Sequence, residues 1–246
     1  MTKTDLKTRK DKVLEYIVTV YTELGIPVGS VTLRNFSKLD LSPATIRNIM
    51  KDLETEGLIT HPHTSAGRLP TETGYRYYLD NIMKPDALVE DDKNRIISVC
   101  ESSINEPEGL LEEMSRLLSD ISNEVSMVLL PKARLVSFGW YHLFLQPEFR
   151  NISGPIRLLK AFEEKKEVLD FVEESVNSRQ VKVFVGRENK CRDMSDCSIV
   201  ISGYGTCDEI TGAIGLIGPT RMCYKRAVPM VDYIAREIDD FLNEEY

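Results

Sequence analysis

Ala44, Thr45, Arg47, Asn48 and Lys51 lie close together in the chain and share one chemistry. An arginine or lysine can bond bidentately to a guanine edge, an asparagine to an adenine, and both cations can neutralise phosphate. The small Ala44 and Thr45 would leave a narrow tip for entry into a major groove. These residues need a helix to present them, and the flanking positions supply one. Ser42 can cap the first turn through its hydroxyl, and Pro43 suits the first helical position, where no N–H is required. Ile46, Ile49, Met50 and Leu53 recur at helical spacing on the opposite face, and Gly57 can take the left-handed conformation that stops a helix. A solvated amphipathic helix would carry the same signals, so the neighbouring segments must decide.

Those neighbours read as a helix-turn-helix with a wing. Residues 7–25 carry Val13, Ile17, Val20, Tyr21 and Leu24 on one face and end at Gly25. Ser30 can cap a short helix to about Lys38, with Leu33 and Phe36 expected inside. Leu39-Asp40-Leu41 then turns the chain into the Ser42 cap, which completes the order of a helix-turn-helix. Beyond Gly57, strand-forming residues run into a small-residue turn at Ser65-Ala66-Gly67 and return through Arg68 and Leu69. Such a hairpin places Arg68 beside the turn, within reach of a minor groove or a phosphate; a solvated turn arginine is the plainer alternative. His61 and His63 alone, without a cysteine or carboxylate at ligand spacing, suit a polar strand better than a metal site. Thr71 can cap a further helix that packs Tyr75, Tyr78 and Leu79 against the preceding helices and leaves Arg76 outside, although Gly74 inside it costs about 1 kcal/mol against alanine.

The chain has 246 residues, 42% hydrophobic and 28% charged, a composition able to bury a core. No apolar run of membrane-spanning length occurs, and the N-terminus lacks the apolar stretch of a signal peptide, so a cytoplasmic location is expected. Net charge is -8, but it is uneven. Residues 1–80 hold 11 Lys+Arg against 10 Asp+Glu, and residues 81–246 hold 20 against 29. An acidic body can carry a nucleic-acid-binding head, with modest and salt-sensitive nonspecific affinity.

Residues 81–124 read as a helical linker, with Leu110, Met114, Leu117, Leu118 and Ile121 forming a stripe that suits a core or a dimer seam. From Val125 the pattern turns to strands at 126–130, 134–138, 181–185, 197–202 and 211–217. A helical stretch at 155–176 is expected to bury Ile156, Leu159, Phe162, Leu169 and Val172, and a closing helix runs from about Tyr224 to Glu244. Strands with hairpin-like joins among helices argue for an α+β domain.

Enzyme chemistry finds little footing. There is no Walker-type loop, no dinucleotide fingerprint at Gly203-Tyr-Gly-Thr-Cys-Asp208, and no Gly-x-Ser-x-Gly elbow. The five cysteines, at 100, 191, 197, 207 and 223, form no CxxC pair and read as free thiols. A Cys191/Cys197 redox pair, or Cys207 as a nucleophile drawing on His142, are the alternatives that spacing leaves open. Gly215, Gly218 and Pro219-Thr-Arg-Met222 suit a strand ending in a tight turn, with Arg221 structural rather than a ligand clamp. No catalytic residue, cofactor or metal ligand is expected.

Several motifs together resemble one family. Pro27-Val-Gly-Ser30, Leu41-Ser-Pro-Ala-Thr-Ile-Arg-Asn48, Asp52-Leu53-Glu54 with Gly57, His63-Thr-Ser-Ala-Gly-Arg68, Pro70-Thr71 and Gly74-Tyr-Arg-Tyr-Tyr78 are similar to the N-terminal domain of the HrcA heat-shock repressors. Gln146-Pro-Glu-Phe149, Gly186-Arg-Glu-Asn189, Asp196-Cys-Ser-Ile-Val200 and Gly212-Ala-Ile-Gly-Leu-Ile-Gly-Pro-Thr-Arg-Met222 resemble its C-terminal part, which is GAF-like. The resemblance implies an α+β chain with a winged helix-turn-helix at 1–80, a helical linker at 81–124 and a reduced GAF-like domain at 125–246. Family members carry roughly 100 more residues, an ordinary domain's worth, between positions like Pro131 and Arg134, so this chain looks like a shortened member lacking most of the inserted dimerisation domain. The resemblance further implies a repressor of chaperone genes that binds an inverted-repeat operator in double-stranded DNA as a homodimer, under the influence of heat and the GroE chaperonin. Ser42, Ala44, Thr45, Arg47, Asn48 and Lys51 would face the major groove, Ser30, Thr32 and Arg34 the phosphates, and His63, Thr64, Ser65 and Arg68 the wing's contacts. A regulator whose GAF-like domain binds a small effector and a thiol-based reductase are the competing readings.

Overall fold

The structure is a computed structural model that describes residues 3–37, 39, 41–62, 67–102, 107–149, 151, 153–164, 166–206 and 209–244. Two compact units divide the chain at Lys84/Pro85. The first contains α1 (Lys3–Leu24), α2 (Ser30–Phe36), α3 (Pro43–Thr55), β1 (Ile59–Thr60), β2 (Leu69–Pro70) and α4 (Glu72–Asn81). Its core joins Val13, Leu14 and Ile17 of α1 to Leu33, Ile46, Leu53, Ile59 and Tyr75, each almost wholly excluded from solvent. Gly25 and Gly57, at φ 65° and 73°, take the left-handed turns that end α1 and follow α3. Thr71 caps α4 by accepting from the Gly74 amide at 2.9 Å.

Four expectations for this unit need correction. Ser30 does not cap α2: it is the first helical residue, Gly29 is the N-cap, and no side chain bonds that end. Leu24, read on the apolar face of α1, is 41% exposed at the helix end. Phe36 is 54% exposed, whereas Leu33 is fully buried: α2 ends at Phe36, and only Leu33 of the pair reaches the core. Gly74 is no mere weakness in α4. A Cβ there would stand 1.9 Å from the Leu58 carbonyl oxygen, so the absent side chain is what lets α4 lie against the strand side of the head.

The second unit contains α5 (Glu90–Ser102), α6 (Pro107–Ser122), β3 (Val125–Leu130), β4 (Arg134–Phe138), α7 (Trp140–Leu145), α8 (Ser153–Glu164), α9 (Lys166–Ser175), β5 (Lys182–Phe184), β6 (Cys197–Thr206), β7 (Glu209–Pro219) and α10 (Tyr224–Glu244). Its strands form one antiparallel sheet in the order β4-β3-β7-β6-β5. Helices cover both faces. Val125, Met127, Ile199, Ile201 and Ile217 meet Leu143, Leu158, Phe162, Phe171 and Val172 from α7, α8 and α9. The opposite face meets α6 and α10, where Ser115 bonds Ser126 at 2.9 Å and Ser198 bonds Tyr224 Oη at 2.6 Å. Burial on both faces explains why β3, β6 and β7 read as continuous apolar runs rather than alternating ones.

The stretch 81–124, expected as a linker, has α5 and α6 packed against each other and against α10 within this unit. The helical stretch expected at 155–176 is made up of α8 and α9. Ile156 is 53% exposed, and Leu158 is buried in its place. Two residues are about 200° apart on a helix, so Ile156 points away from the core, whereas Phe162 and Val172 are buried as expected and Leu169 packs against the core. Pro131-Lys132-Ala133 closes β3 onto β4 in three residues, with Lys132 and Ala133 at φ 63° and 56°. Left-handed conformations in such residues cost about 1–3 kcal/mol each. No helix among the described residues is long and apolar enough to cross a membrane.

Candidate nucleic-acid interface

The α3 helix starts as its sequence dictates. Ser42 is extended, and its Oγ accepts from the Thr45 amide at 3.1 Å and shares a 2.9 Å bond with Thr45 Oγ1. Ile46, Ile49, Met50 and Leu53 turn inward. Ala44, Arg47, Asn48 and Lys51 are exposed on the opposite face, with Thr45 half-buried between the two.

Electrostatics divides this helix along its length. Its acids cluster at the C-terminal end, and each has a cationic partner. Lys10 of α1 bonds Glu56 at 2.6 Å and lies 3.6 Å from Asp52. The hydrogen bond to Glu56 raises the Lys10 amine above its ordinary value, against the opposing effect of burial. Glu54 faces the wing. One carboxylate oxygen takes His61 Nδ1, and the other accepts from Arg68 Nε at 3.1 Å and Nη2 at 2.9 Å. Burial pushes the Glu54 carboxyl up, but the bonds from His61 and Arg68 outweigh it and hold the group below its usual value. Among the described residues, neither Arg47 nor Lys51 has an ion-pair partner. The forward half of α3 is therefore left with a net positive surface.

Three elements converge on that surface. The Val28 and Arg68 backbones bond each other in both directions, at 2.7 and 2.9 Å, and so tie the wing to the connection before α2. The result is an open cavity of ≈ 610 Å³ lined by Ser30 of α2, by Arg47, Asn48, Lys51 and Glu54 of α3, and by Arg68 of the wing. Five sequence-predicted positions thus meet around one concavity: Ser30, Arg47, Asn48, Lys51 and Arg68. Arg34 is exposed and Thr32 half-buried on α2, while Ser42 and Ala44 stand at the exposed tip of α3; none of these four lines the cavity. His63, Thr64 and Ser65 lie outside the described residues. Arg68, expected to reach outward to DNA, has its guanidinium bonded to Glu54 and its side chain 24% exposed.

Sequence reading did not single out Lys10, Glu54 or His61 as parts of this arrangement. Glu54 is seven residues from His61 and fourteen from Arg68, and Lys10 is forty-six from Glu56. No local spacing signals those pairings.

The second unit offers less to a ligand. A concavity of ≈ 270 Å³ beside Leu129, Lys132, Glu173 and Thr211 falls below the roughly 300–1,000 Å³ of pockets that enclose a drug-sized molecule. Burial pushes the Cys100 thiol up to about 11 and raises Cys191 and Cys197 as well, which disfavours the thiolate that nucleophilic chemistry needs. Cys207 lies outside the described residues. Arg221 is structural: its guanidinium clamps Glu148 and bonds Gln146 Oε1 at 2.8 Å, with the side chain only 12% exposed.

Comparison with known proteins follows the same division. Residues 95–228, more than half of the chain, match the family described as the HrcA protein C-terminal domain. The heat-inducible transcription repressor HrcA of Syntrophobacter fumaroxidans is 28% identical over 342 aligned positions, spanning 98% of this chain and 98% of that protein. The repressor of the same name from Desulfitobacterium hafniense is 28% identical over 336 positions, spanning 95% and 97%. Both alignments are far longer than the 246 residues of this chain, so a domain-sized share of each relative has no counterpart here. A crystal structure described only as that of a hypothetical protein superposes with a TM-score of 0.81 at 19% identity, covering 97% of this chain and 99% of that one, and so shares the fold.

Proposed function

The chain belongs to the HrcA family, and from that premise we propose that it is a repressor of heat-shock genes whose α3 helix reads an inverted-repeat operator. The observation that carries the reading is the distribution of charge on α3. Asp52, Glu54 and Glu56 are each engaged by a cation, while Arg47 and Lys51 face an open concavity beside Asn48. Arg47 and Asn48 have the donors for base edges, and Lys51 suits a phosphate. Ser42, Ala44 and Thr45 form the tip that enters the groove, with Ser30, Thr32 and Arg34 holding the backbone at α2. His63, Thr64, Ser65 and Arg68 belong to the wing that follows the adjoining groove.

One short helix reads only a few base pairs, so useful specificity needs two heads on one operator. We therefore place two copies of this chain on the inverted repeat, paired without the segment that the longer relatives carry. Release answers to heat and to the GroE chaperonin, neither of which requires an enzymatic step in this chain.

The test is fluorescence anisotropy with an inverted-repeat duplex of the heat-shock type and a scrambled duplex, at two salt concentrations. Tighter binding to the repeat that persists at the higher salt is the expected result, with a stoichiometry of two chains per duplex. Equal binding to both duplexes that vanishes with salt would reduce α3 to a nonspecific contact. Sedimentation that finds a single chain on the duplex would remove the paired arrangement.

A further inference from the structure

Glu54 stands where an acid is least expected, on the helix proposed to face DNA and on the rim of the cavity that Arg47, Lys51 and Arg68 line. Its carboxylate binds both sides of the wing at once. His61 follows β1 and Arg68 precedes β2, so the two partners stand on opposite sides of the wing. The strand pairing of the wing is short: Ile59 lies opposite Pro70 and Thr60 opposite Leu69. Pro70 has no N–H to give, and a two-stranded hairpin of this size is marginal by itself. The β2 side has a further anchor, because Arg68 and Val28 exchange backbone bonds and Gly67 runs so close to Pro27 and Val28 that a Cβ would meet them at 2.6 Å. Glu54 extends that anchorage to the β1 side through His61 and joins both sides to α3.

We propose that Glu54 is a positioning residue for DNA binding: by holding His61 and Arg68 together it fixes the wing's angle to α3, and operator binding gains from its negative charge being there. The inference rests on the DNA-binding reading above. Its strength is that two physical effects predict opposite signs. By charge alone, an acid among cations repels phosphate, and neutralising it strengthens binding. By positioning, losing it leaves a loose wing whose ordering must be paid for on binding, and weakens it.

The experiment compares the wild-type chain with E54Q and H61A. Operator affinity is followed across a salt series, hydroxyl-radical footprints record the contacts, and amide exchange of the free proteins reports on the Arg68 N–H that bonds Val28. E54Q should lower the unfolding midpoint by only a few degrees, leave the chain folded at the binding temperature, and keep the central, α3-dependent protection. Its operator affinity should fall roughly tenfold, the cost of ordering a loosened wing on binding. The outer protections from the wing should fade, Arg68 exchange should accelerate, and the salt dependence should drop by about one phosphate. H61A, which cuts one arm, should lie between the two. Equal or tighter binding by E54Q overturns the proposal, as does a loss of affinity in which the central, α3-dependent protection disappears together with that of the wing. If the wild-type chain does not distinguish the repeat from a scrambled duplex, the DNA reading itself has failed; the exchange arm still judges the clamp, which unchanged Arg68 exchange in E54Q would refute.

Discussion

Glu54 in the first unit and Glu124 in the second began as the same side chain and have been treated in opposite ways. Glu54 sits a quarter exposed between His61 and Arg68, and those partners hold its carboxyl below the ordinary value. Glu124 lies between α6 and β3 against Gly218, where a Cβ on the glycine would come within 2.4 Å of its Oε2. Among the described residues, that oxygen has no hydrogen-bond partner. Burial pushes the Glu124 carboxyl up to about 8; Arg221 opposes the shift and Glu148 reinforces it. The head keeps its charges half-exposed and uses them to orient parts of a surface. In the body, Glu124 is half-buried in the turn between α6 and β3 with its Oε2 shut off from solvent and without a partner among the described residues, and there the charged form is disfavoured.

That contrast breaks most readily at the body's core. Ile214 is fully buried on β7, so I214A should cost about 2–5 kcal/mol in urea unfolding, through lost burial and the cavity left behind. A cost below about 1 kcal/mol would mean that the two-faced sheet is not where the body's stability resides.

The head's counterpart is G74A. Helix propensity alone predicts a gain of about 1 kcal/mol. The Leu58 carbonyl at 1.9 Å from the new Cβ predicts a loss instead, of about 1–3 kcal/mol, because backbone must move. The sign of the change in thermal midpoint decides which effect rules.

R47A sharpens the comparison from the surface side. Its side chain is exposed on α3 and does not pack in the core, so stability should move by less than about 0.5 kcal/mol. Operator affinity should fall by about 1–3 kcal/mol, with specificity relaxed at one base if the residue reads a guanine. A uniform loss across all duplexes would reassign it to a phosphate.

The smallest expected effect is the pH dependence carried by Glu124. Its folded value of about 8 exceeds the ordinary 4.5, so the folded state retains a proton that the unfolded state releases between those limits. The resulting stability is complete below the lower value and disappears as pH rises through the upper one. E124Q should therefore flatten the curve, matching wild type near about pH 5 and exceeding it by on the order of 1 kcal/mol near about pH 9. An unchanged slope would place the buried proton elsewhere.

The two units also differ in how plainly their sequences announced them. In the head, caps and stops did most of the work: Ser42, Pro43, Thr71 and Gly57 each stand where the local rules placed them. The face of α3 could be read from spacing alone, since a helix with four apolar positions on one side has only one other side to expose. The body was legible as strands but less so as layers. A strand buried on both faces loses the alternation that reveals which residues point where, and at the start of α8 spacing could not choose between Ile156 and Leu158 because both are apolar.

Local sequence therefore determined the helices of the head, the exposed cationic face of α3, the strand content of the body and, through shared motifs, the family. Those features depend on neighbours a few residues apart, which capping, periodicity and turn chemistry report directly. Tertiary structure alone decided which acids were neutralised and by what. The Glu54 bonds to His61 and Arg68, the hold of Lys10 on Glu56, the need for glycine at 74 and the buried proton of Glu124 all arise from groups distant in sequence or from the closeness of a backbone. Charge acts through space and packing through volume, and neither follows the order of the chain.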